Sequence, residues 1–427
     1  MMKTGIYLAL IFTALTSFGQ KNNDNKKNES KTFFGRIWIV KPGENYAAVI
    51  TRLQPGDELL LHEGTYEGNA LINNSGLPGK PIIIRGYGNG EKRPVLLWGG
   101  SGAIRNYLNT PLFQVNGSNI IFDYLEFRSK YAYSIRMGKS GEGNSNVTIK
   151  NCVFYESGGG DISANASVDY DNINILDNYF IGSKATPVYI GVHTGKANVT
   201  NFTFKGNVID GSQIYGGFIT GYGIQLKLNV ISSVIENNYI TNTKGPGIMV
   251  YGAEKSGSGN ANIVRNNIVV GSRNEAGIVV GGGPSTVTDN LIIGCIGGIG
   301  VINYNNRNLL NNIVIETNTA ACNRDYGMSL GNTQDITARD NTVISADSLN
   351  AFIENLSSGL NNNISNASKE LEKIVREKLI NAIPTRNNLK KIWLRISSGP
   401  LSQADVLEII DLILEYKIPV QILNESI

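Results

Sequence analysis

The chain has two histidines in 427 residues, His62 and His193, and the second belongs to a set of side chains suited to moving protons on a carboxylate-bearing ligand. The set is Arg136, Asn165, Tyr189, His193, Gln225, Lys227 and Tyr251. A lysine amine becomes a base once burial or a neighbouring cation, here Arg136 or His193, draws its pKa down from about 10.4 toward neutrality. A phenol then supplies the acid, and a guanidinium neutralises a carboxylate through paired hydrogen bonds. Lys227 is the candidate base and Tyr251 the candidate acid. Arg136, with Asn165 and Gln225, is the candidate carboxylate holder, and Tyr189 offers a ring against which substrate rests. Such a set removes the proton beside a carboxylate while the oxygen one carbon further on departs. His193 is the alternative base, with Tyr251 still the acid. Taken singly, each residue has a plainer role: an outward Lys is solvated, a Tyr is a stacking rung, a His is incidental. Their concentration points to chemistry, whereas His62 sits in the opening motif and is expected to be structural.

These residues meet only if the chain is built from stacked coils. A motif ending in Asn and then an apolar pair recurs: Asn151-Cys152-Val153-Phe154, Asp177-Asn178-Tyr179-Phe180, Gly206-Asn207-Val208-Ile209, Asn237-Asn238-Tyr239-Ile240, Asn266-Asn267-Ile268-Val269, Asp289-Asn290-Leu291-Ile292, Asn311-Asn312-Ile313-Val314 and Asp340-Asn341-Thr342-Val343, with anchors 22 to 31 residues apart. A second short strand follows most anchors, as in Gly223-Ile224-Gln225-Leu226, Gly247-Ile248-Met249-Val250, Gly277-Ile278-Val279-Val280, Gly298-Ile299-Gly300-Val301 and Gly327-Met328-Ser329-Leu330. One such repeat cannot bury its apolar face, but stacked repeats share a continuous core, so the fold expected is an all-β right-handed parallel β-helix with an Asn ladder at one turn. A leucine-rich repeat needs a leucine spacing absent here, and a propeller needs four strands per blade.

Alternation then sorts the second strands. Val188, Ile190 and Val192, Ile224, Leu226 and Leu228, Ile248 and Val250, Ile278 and Val280, and Ile299 and Val301 point inward. Tyr189 and His193, Gln225 and Lys227, and Met249 and Tyr251 point outward, with Arg136, Ser163 and Asn165 on earlier coils. Beyond them the outward column continues as Val279 and Gly281, Gly300 and Ile302, and Ser329 and Gly331, so the reactive residues occupy one zone of a plain column. The glycine run from Gly294 to Gly300 serves tight coil turns, because no crossover helix follows that would make it a nucleotide loop.

Composition limits the alternatives. With 49 Gly, 53 Asn and only 17% charged residues, the chain is rich in turns and unlike a helical bundle or coiled coil. A net charge of +3 from 38 Lys and Arg against 35 Asp and Glu gives no basic surface for nucleic acid. Residues 1–19 read as a signal peptide, with Lys3, an apolar run from Ile6 to Leu15 and small residues before Gln20, followed by a polar linker over 20–35. That implies a secreted or periplasmic protein without a membrane span. Cys152, Cys295 and Cys322 leave at least one thiol outside any disulfide and lack metal-site spacing. The β-helix is expected over 36–360. Residues 361–427 are expected to be a helical tail, with helical spacing over Lys369 to Leu379 and Ser402 to Tyr416 and a capping box at Ser402 and Asp405. Its expected place is over the open end of the solenoid.

The run from Pro55 to Tyr66, PGDELLLHEGTY, followed by GLPGKPIIIRGYGNGEKRPVL, resembles the amino-terminal coils of pectin-lyase-like β-helix proteins. The chain is most similar to polysaccharide lyase family 6, of the chondroitinase B and alginate lyase type, and more distantly to family 9 pectate lyases. The resemblance covers roughly 36–350 and implies a lyase cleaving an acidic, uronate-containing polysaccharide by β-elimination. In that family a Lys at a strand end is the base and an Arg on the next coil the acid. Lys227 resembles that base, while Tyr251 stands where the Arg would be. The family's Ca²⁺ ligands lie a few residues before its Lys, where this chain has Thr220 and Tyr222, so no metal site is assigned and no cofactor is expected, with Ca²⁺ the one that stays open. Three other activities stay open on the same scaffold. A C5-epimerase shares the proton abstraction. A glycoside hydrolase would need two facing carboxylates, for which Asp161 and Asp210, read as lying in turns near the patch, are the candidates. A surface protein would bind glycan through Tyr189 and Tyr251 without catalysis.

Overall fold

The computed structural model describes residues 35–98, 110–129, 132–139, 141–192, 194, 197–211, 221–253, 261–331, 335–345, 352–353, 362–379 and 382–415. Three parallel sheets run the length of this unit, here sheets A, B and C, and successive strands of the chain go to A, B and C in turn. Ile120–Asp123 lies in A, Glu126–Arg128 in B, Ile135–Met137 in C, and Ser145–Lys150 returns to A. Each strand pairs in parallel with its counterparts one coil before and after, as Ile224–Leu226 does with Val188–Ile190 and Ile248–Val250. This is the right-handed parallel β-helix expected from the repeats.

The core is the inward residue of every strand, and its largest members stack coil on coil. Phe127, Phe154 and Phe180 lie nearly parallel with centroids 4.8 and 4.9 Å apart. At the amino-terminal end a short helix, Tyr46–Ile50, sets Tyr46 against Phe113 at 6.0 Å. Helical periodicity over five residues is too brief to show in sequence, and this helix was not expected.

The turn between sheets A and B carries the ladder. The Asn207 carboxamide oxygen accepts from Asn178 N at 2.9 Å and from Asn178 Nδ2 at 3.0 Å, and Asn178 Nδ2 also donates to Ile149 O at 2.9 Å. Asn238, Asn267, Asn290, Asn318 and Asn341 repeat the arrangement, and Cys152 takes the place at its amino-terminal end. The residue before each rung is left-handed: Asn151, Asp177, Gly206, Asn237, Asn266, Asp289, Thr317 and Asp340 have φ between 53° and 68°. Asn, Asp and Gly tolerate that conformation best. Thr317 does not, and its hydroxyl is held by Asp289 at 2.7 Å. One assignment is thereby corrected. The rung after Asn290 is Asn318, not Asn312, and Asn312 instead leads into the sheet A strand Ile313–Glu316. Two adjacent asparagines before an apolar pair mimic the ladder motif at a different turn.

The carboxyl-terminal segment also departs from expectation. Asn363–Asn366 adds one more strand to sheet B. Helices follow at Lys369–Ile374, continued by a π-helical turn Val375–Leu379, then Arg386–Ile396 and Gln403–Leu414. The Ser402 and Asp405 capping box is present. Where described, the helices lie along the flank of the solenoid. Leu371, Leu389, Ile392, Ile409 and Ile413 pack on the outer face of sheet B, against Val208, Tyr239, Ile268, Leu291 and Ile344. Tyr239 donates its hydroxyl to Ala382 O at 2.7 Å, and the Arg386 guanidinium lies 4.6 Å from the Tyr179 ring centroid. The reason is in the motif itself. An apolar pair in one strand puts one member inside and the other outside, and a row of outward Val, Tyr, Ile and Leu needs a cover.

Candidate active site

The site lies on the outer face of sheet C. Paired positions there run Gln114, Arg136, Ser163, Tyr189, Gln225, Met249, Val279, Gly300 and Ser329. The inward neighbours Ile224, Leu226, Ile248 and Val250 are all fully buried in the core. Lys227 directly follows the strand Ile224–Leu226, and Tyr251 directly follows Ile248–Val250, so the two stand on adjacent coils at equivalent places.

Lys227 Nζ is 3.1 Å from the Tyr251 hydroxyl, and Gln225 Nε2 donates to the same oxygen at 3.0 Å. Lys227 lies between two rings, 4.4 Å from the Tyr251 centroid and 5.1 Å from that of Tyr189. Only 3% of Lys227, 2% of Gln225 and 2% of Tyr251 is exposed. Ring faces favour an ammonium and loss of water disfavours it; burial wins and draws the Lys227 pKa down to about 7. Burial first, and the adjoining Tyr304 second, push Tyr251 well above the usual phenol range. Burial also pushes Tyr189 up to about 12. An amine that is half neutral near pH 7 thus sits in hydrogen-bond contact with a phenol that keeps its proton.

The backbone makes room for this pair. In the column that holds Lys227 and Tyr251, the coil before carries Gly191 and the coil after carries Gly281. A Cβ on Gly191, whose φ is +84°, would come within 3.2 Å of Lys227 Cβ, and one on Gly281 within 3.1 Å of Tyr304 Cβ. Side chains at either place would press on Lys227 or Tyr304.

Of the residues expected from sequence, Lys227, Tyr251, Gln225 and Tyr189 are brought together. Arg136 and Asn165 share the face but stand farther off. Arg136 is three rungs from Gln225, about 14 Å at the usual spacing, and burial rather than Arg136 accounts for the lowered pKa of Lys227. Asn165 is two rungs from the Lys227 level, roughly 10 Å. The carboxamide oxygens of Asn165 and Gln225 are buried without a hydrogen-bond partner among the described residues, which suits them to accept from ligand hydroxyls. His193, the alternative base, lies outside the described residues, as does Thr220. His62 is held by Glu91 at 2.9 Å and stacks on Tyr87 at 4.4 Å, the structural place expected of it.

Two contributors were not anticipated. Tyr304, in a short 3-10 turn Tyr304–Asn306 beyond the sheet C strand Gly297–Val301, packs edge-on against Tyr251 with centroids 4.4 Å apart. Tyr222 lies 3.4 Å from the Tyr304 hydroxyl, in an apolar cluster with Met249, Val279 and Leu309. Nothing in the repeats marks Tyr304, because it lies between strands; the 28-residue interval from the Asn290 to the Asn318 rung, against 23 on either side, is the one available signal. Tyr222 occupies a place where the resemblance would put a Ca²⁺ ligand. A phenol packed among Met, Val and Leu does not fit that ion, which takes several charged or carbonyl oxygens.

The carboxylates considered for hydrolysis lie elsewhere. Asp161, immediately before the strand Ile162–Ala164, is fully buried, bonded to the Ser183 hydroxyl, and pushed by burial up to about 7. Asp210 is not in a loop: it ends the sheet B strand Val208–Asp210. Neither belongs to the outward column of sheet C. The three cysteines carry no disulfide.

Residues 111–313 match the family model described as a right handed beta helix region. This chain is a right-handed parallel β-helix. Solved structures similar to this β-helix include a mannuronic acid specific polysaccharide family 6 lyase from human gut microbiota, at 19% identity and TM-score 0.43, with 73% of this chain and 65% of that one covered. The PL6 family alginate lyase AlyGC matches at 16% identity and TM-score 0.42, over 78% of this chain and 52% of its own. The GH136 lacto-N-biosidase from Eubacterium ramulus matches at 12% identity and TM-score 0.50, covering 77% and 68%. The chain therefore spans between half and two thirds of the length of the two lyases. Comparison with curated proteins finds no match. The solved structures so matched include both lyases and a glycoside hydrolase.

Proposed function

We propose that this β-helix cleaves an acidic, uronate-containing polysaccharide by β-elimination. The observation that carries this reading is the buried contact of Lys227 Nζ with the Tyr251 hydroxyl at 3.1 Å. Neutral Lys227 takes the proton on C5, beside the uronate carboxylate. The electron pair forms the C4–C5 double bond, and the C4–O4 bond breaks. Tyr251 gives its proton to the departing glycosidic oxygen. The amine, now protonated, faces the phenolate directly, and transfer across the same hydrogen bond restores both groups. Proton balance closes within the pair.

Tyr189 supports a sugar ring, the free carboxamide oxygens of Gln225 and Asn165 accept hydroxyls, and Arg136 pairs with a carboxylate farther along the polymer. Elimination in this reading runs without Ca²⁺, since Tyr222 holds the expected ligand place. The basic and apolar start of residues 1–19 supports export, where polymeric glycans are met. Among the described residues no helix is long and apolar enough to cross a membrane.

The test is a panel of uronate polysaccharides, with and without chelator, followed by the ultraviolet absorbance of unsaturated uronate. A rise indifferent to chelator and abolished by Lys227→Ala or Tyr251→Phe is expected. New reducing ends on a neutral glycan without that absorbance would overturn the reading.

A further inference from the structure

Resting on that elimination reading, the spacing of the pair narrows the substrate. We infer that the site cleaves uronates whose C5 hydrogen and C4 oxygen lie on the same face of the ring, namely D-mannuronate or D-glucuronate. It does not cleave their epimers at C4 or C5, which are D-galacturonate, L-guluronate and L-iduronate.

The argument is geometric. A base on C5–H and an acid on O4 each need to sit about 3 Å from their target. When the hydrogen and the oxygen are on opposite ring faces, the two groups must bracket the sugar, which sets them at least roughly 6 Å apart. When both are on one face, a base and acid close to each other serve adjacent atoms. Lys227 Nζ and the Tyr251 oxygen are 3.1 Å apart.

Nor are the two groups poised to separate. They rise from equivalent places on neighbouring coils of one sheet. Gln225 holds the phenol oxygen from a second direction at 3.0 Å. Tyr304 lies edge-on against the Tyr251 ring at 4.4 Å, so a swing of the phenol to the far side of a bound sugar would have to displace Tyr304. Tyr189, Gln225 and Lys227 reach the ligand from this same sheet face.

In D-glucuronate and D-mannuronate the C4 oxygen and the C5 hydrogen are cis. Inverting C4 gives galacturonate, and inverting C5 gives guluronate or iduronate, and each inversion makes them trans. All these sugars present the same carboxylate, so charge does not separate them.

The experiment uses the full chain and four polymers: poly-β-D-mannuronate, β-1,4-linked polyglucuronate, polygalacturonate and poly-α-L-guluronate. Initial rates are read from unsaturated uronate absorbance. The inference expects a rate on one or both of the first two at least about 100-fold above either of the last two, the scale set by loss of one correctly placed acid or base. Cleavage of polygalacturonate or polyguluronate at a comparable or greater rate overturns the stereochemical inference while leaving elimination standing. Unsaturated product from none of the four overturns the elimination reading, and this inference with it. Lys227→Met separates the pair from a contaminant: it must remove the activity on the cis polymers while the melting transition persists.

Discussion

The outer faces of sheets B and C are both buried near the middle of the solenoid. On sheet B the buried residues are Val208, Tyr239, Ile268 and Leu291, under helices Arg386–Ile396 and Gln403–Leu414. On sheet C they are Gln225, Lys227 and Tyr251, beside Tyr304. Covering apolar side chains stabilises by about 25 cal/mol per Å² of area removed from water. Covering an amine destabilises, because its charged form loses water. An apolar side chain in place of Lys227 would serve the fold better, as Val208, Ile268 and Leu291 do on sheet B. The same architecture thus shows one face built for stability and one that sacrifices some of it, which is the pattern of a site that uses the perturbed group.

The largest effect that would sharpen this contrast is on rate. Lys227→Ala and Tyr251→Phe should each lower kcat/KM on the active polymer by on the order of 10³-fold, measured as initial rate, at a stability cost of only about 1 to 2 kcal/mol for the contacts removed. A matching loss of stability would make the sheet C pair structural and erase the contrast. Next comes sheet B. Ile409→Ala, at a fully buried place under the helices, should cost about 3 kcal/mol in denaturant unfolding while the folded enzyme keeps its kcat/KM. Smaller again, Tyr239→Phe removes the bond to Ala382 O and the contact with the Thr241 side chain and should cost about 1 kcal/mol, again without change in rate.

The contrast was half legible in sequence. Period-two alternation placed Ile224, Leu226, Ile248 and Val250 inside and Gln225 and Met249 outside, and the Lys227 and Tyr251 pairing followed from counting along adjacent strands. Counting rungs would also have shown Arg136 to be remote, because each coil adds about 4.8 Å. Tyr304 was hidden for another reason. It lies between strands, where spacing carries no information about which rung it reaches. The destination of the tail is written in the repeats: Tyr239-Ile240 and Leu291-Ile292 each leave one large apolar side chain facing out. The amphipathic helices were visible, but which surface they cover depends on that outward row.

The finest division between the two faces is by pH. Lys227 is drawn down to about 7, whereas an unfolded lysine titrates near 10.4. Between those values the folded protein binds fewer protons than the unfolded chain, so this group makes stability rise with pH across that window. Its penalty is complete below about pH 7 and gone above roughly pH 10.4. Lys227→Met should therefore melt higher than the parent protein at pH 6, by on the order of 2 °C, and the advantage should shrink to nothing near pH 10.5. Ile409→Ala should show a deficit that does not follow this curve, since no titrating group is touched. Activity should obey the same group from the other side. The base works only when neutral, so kcat/KM should rise with pH to a midpoint near 7 and then hold, because burial keeps the Tyr251 phenol protonated well into the alkaline range. A rate midpoint near 7 without the matching stability difference would assign the titration to a group other than Lys227, and would remove the reason for its burial on sheet C.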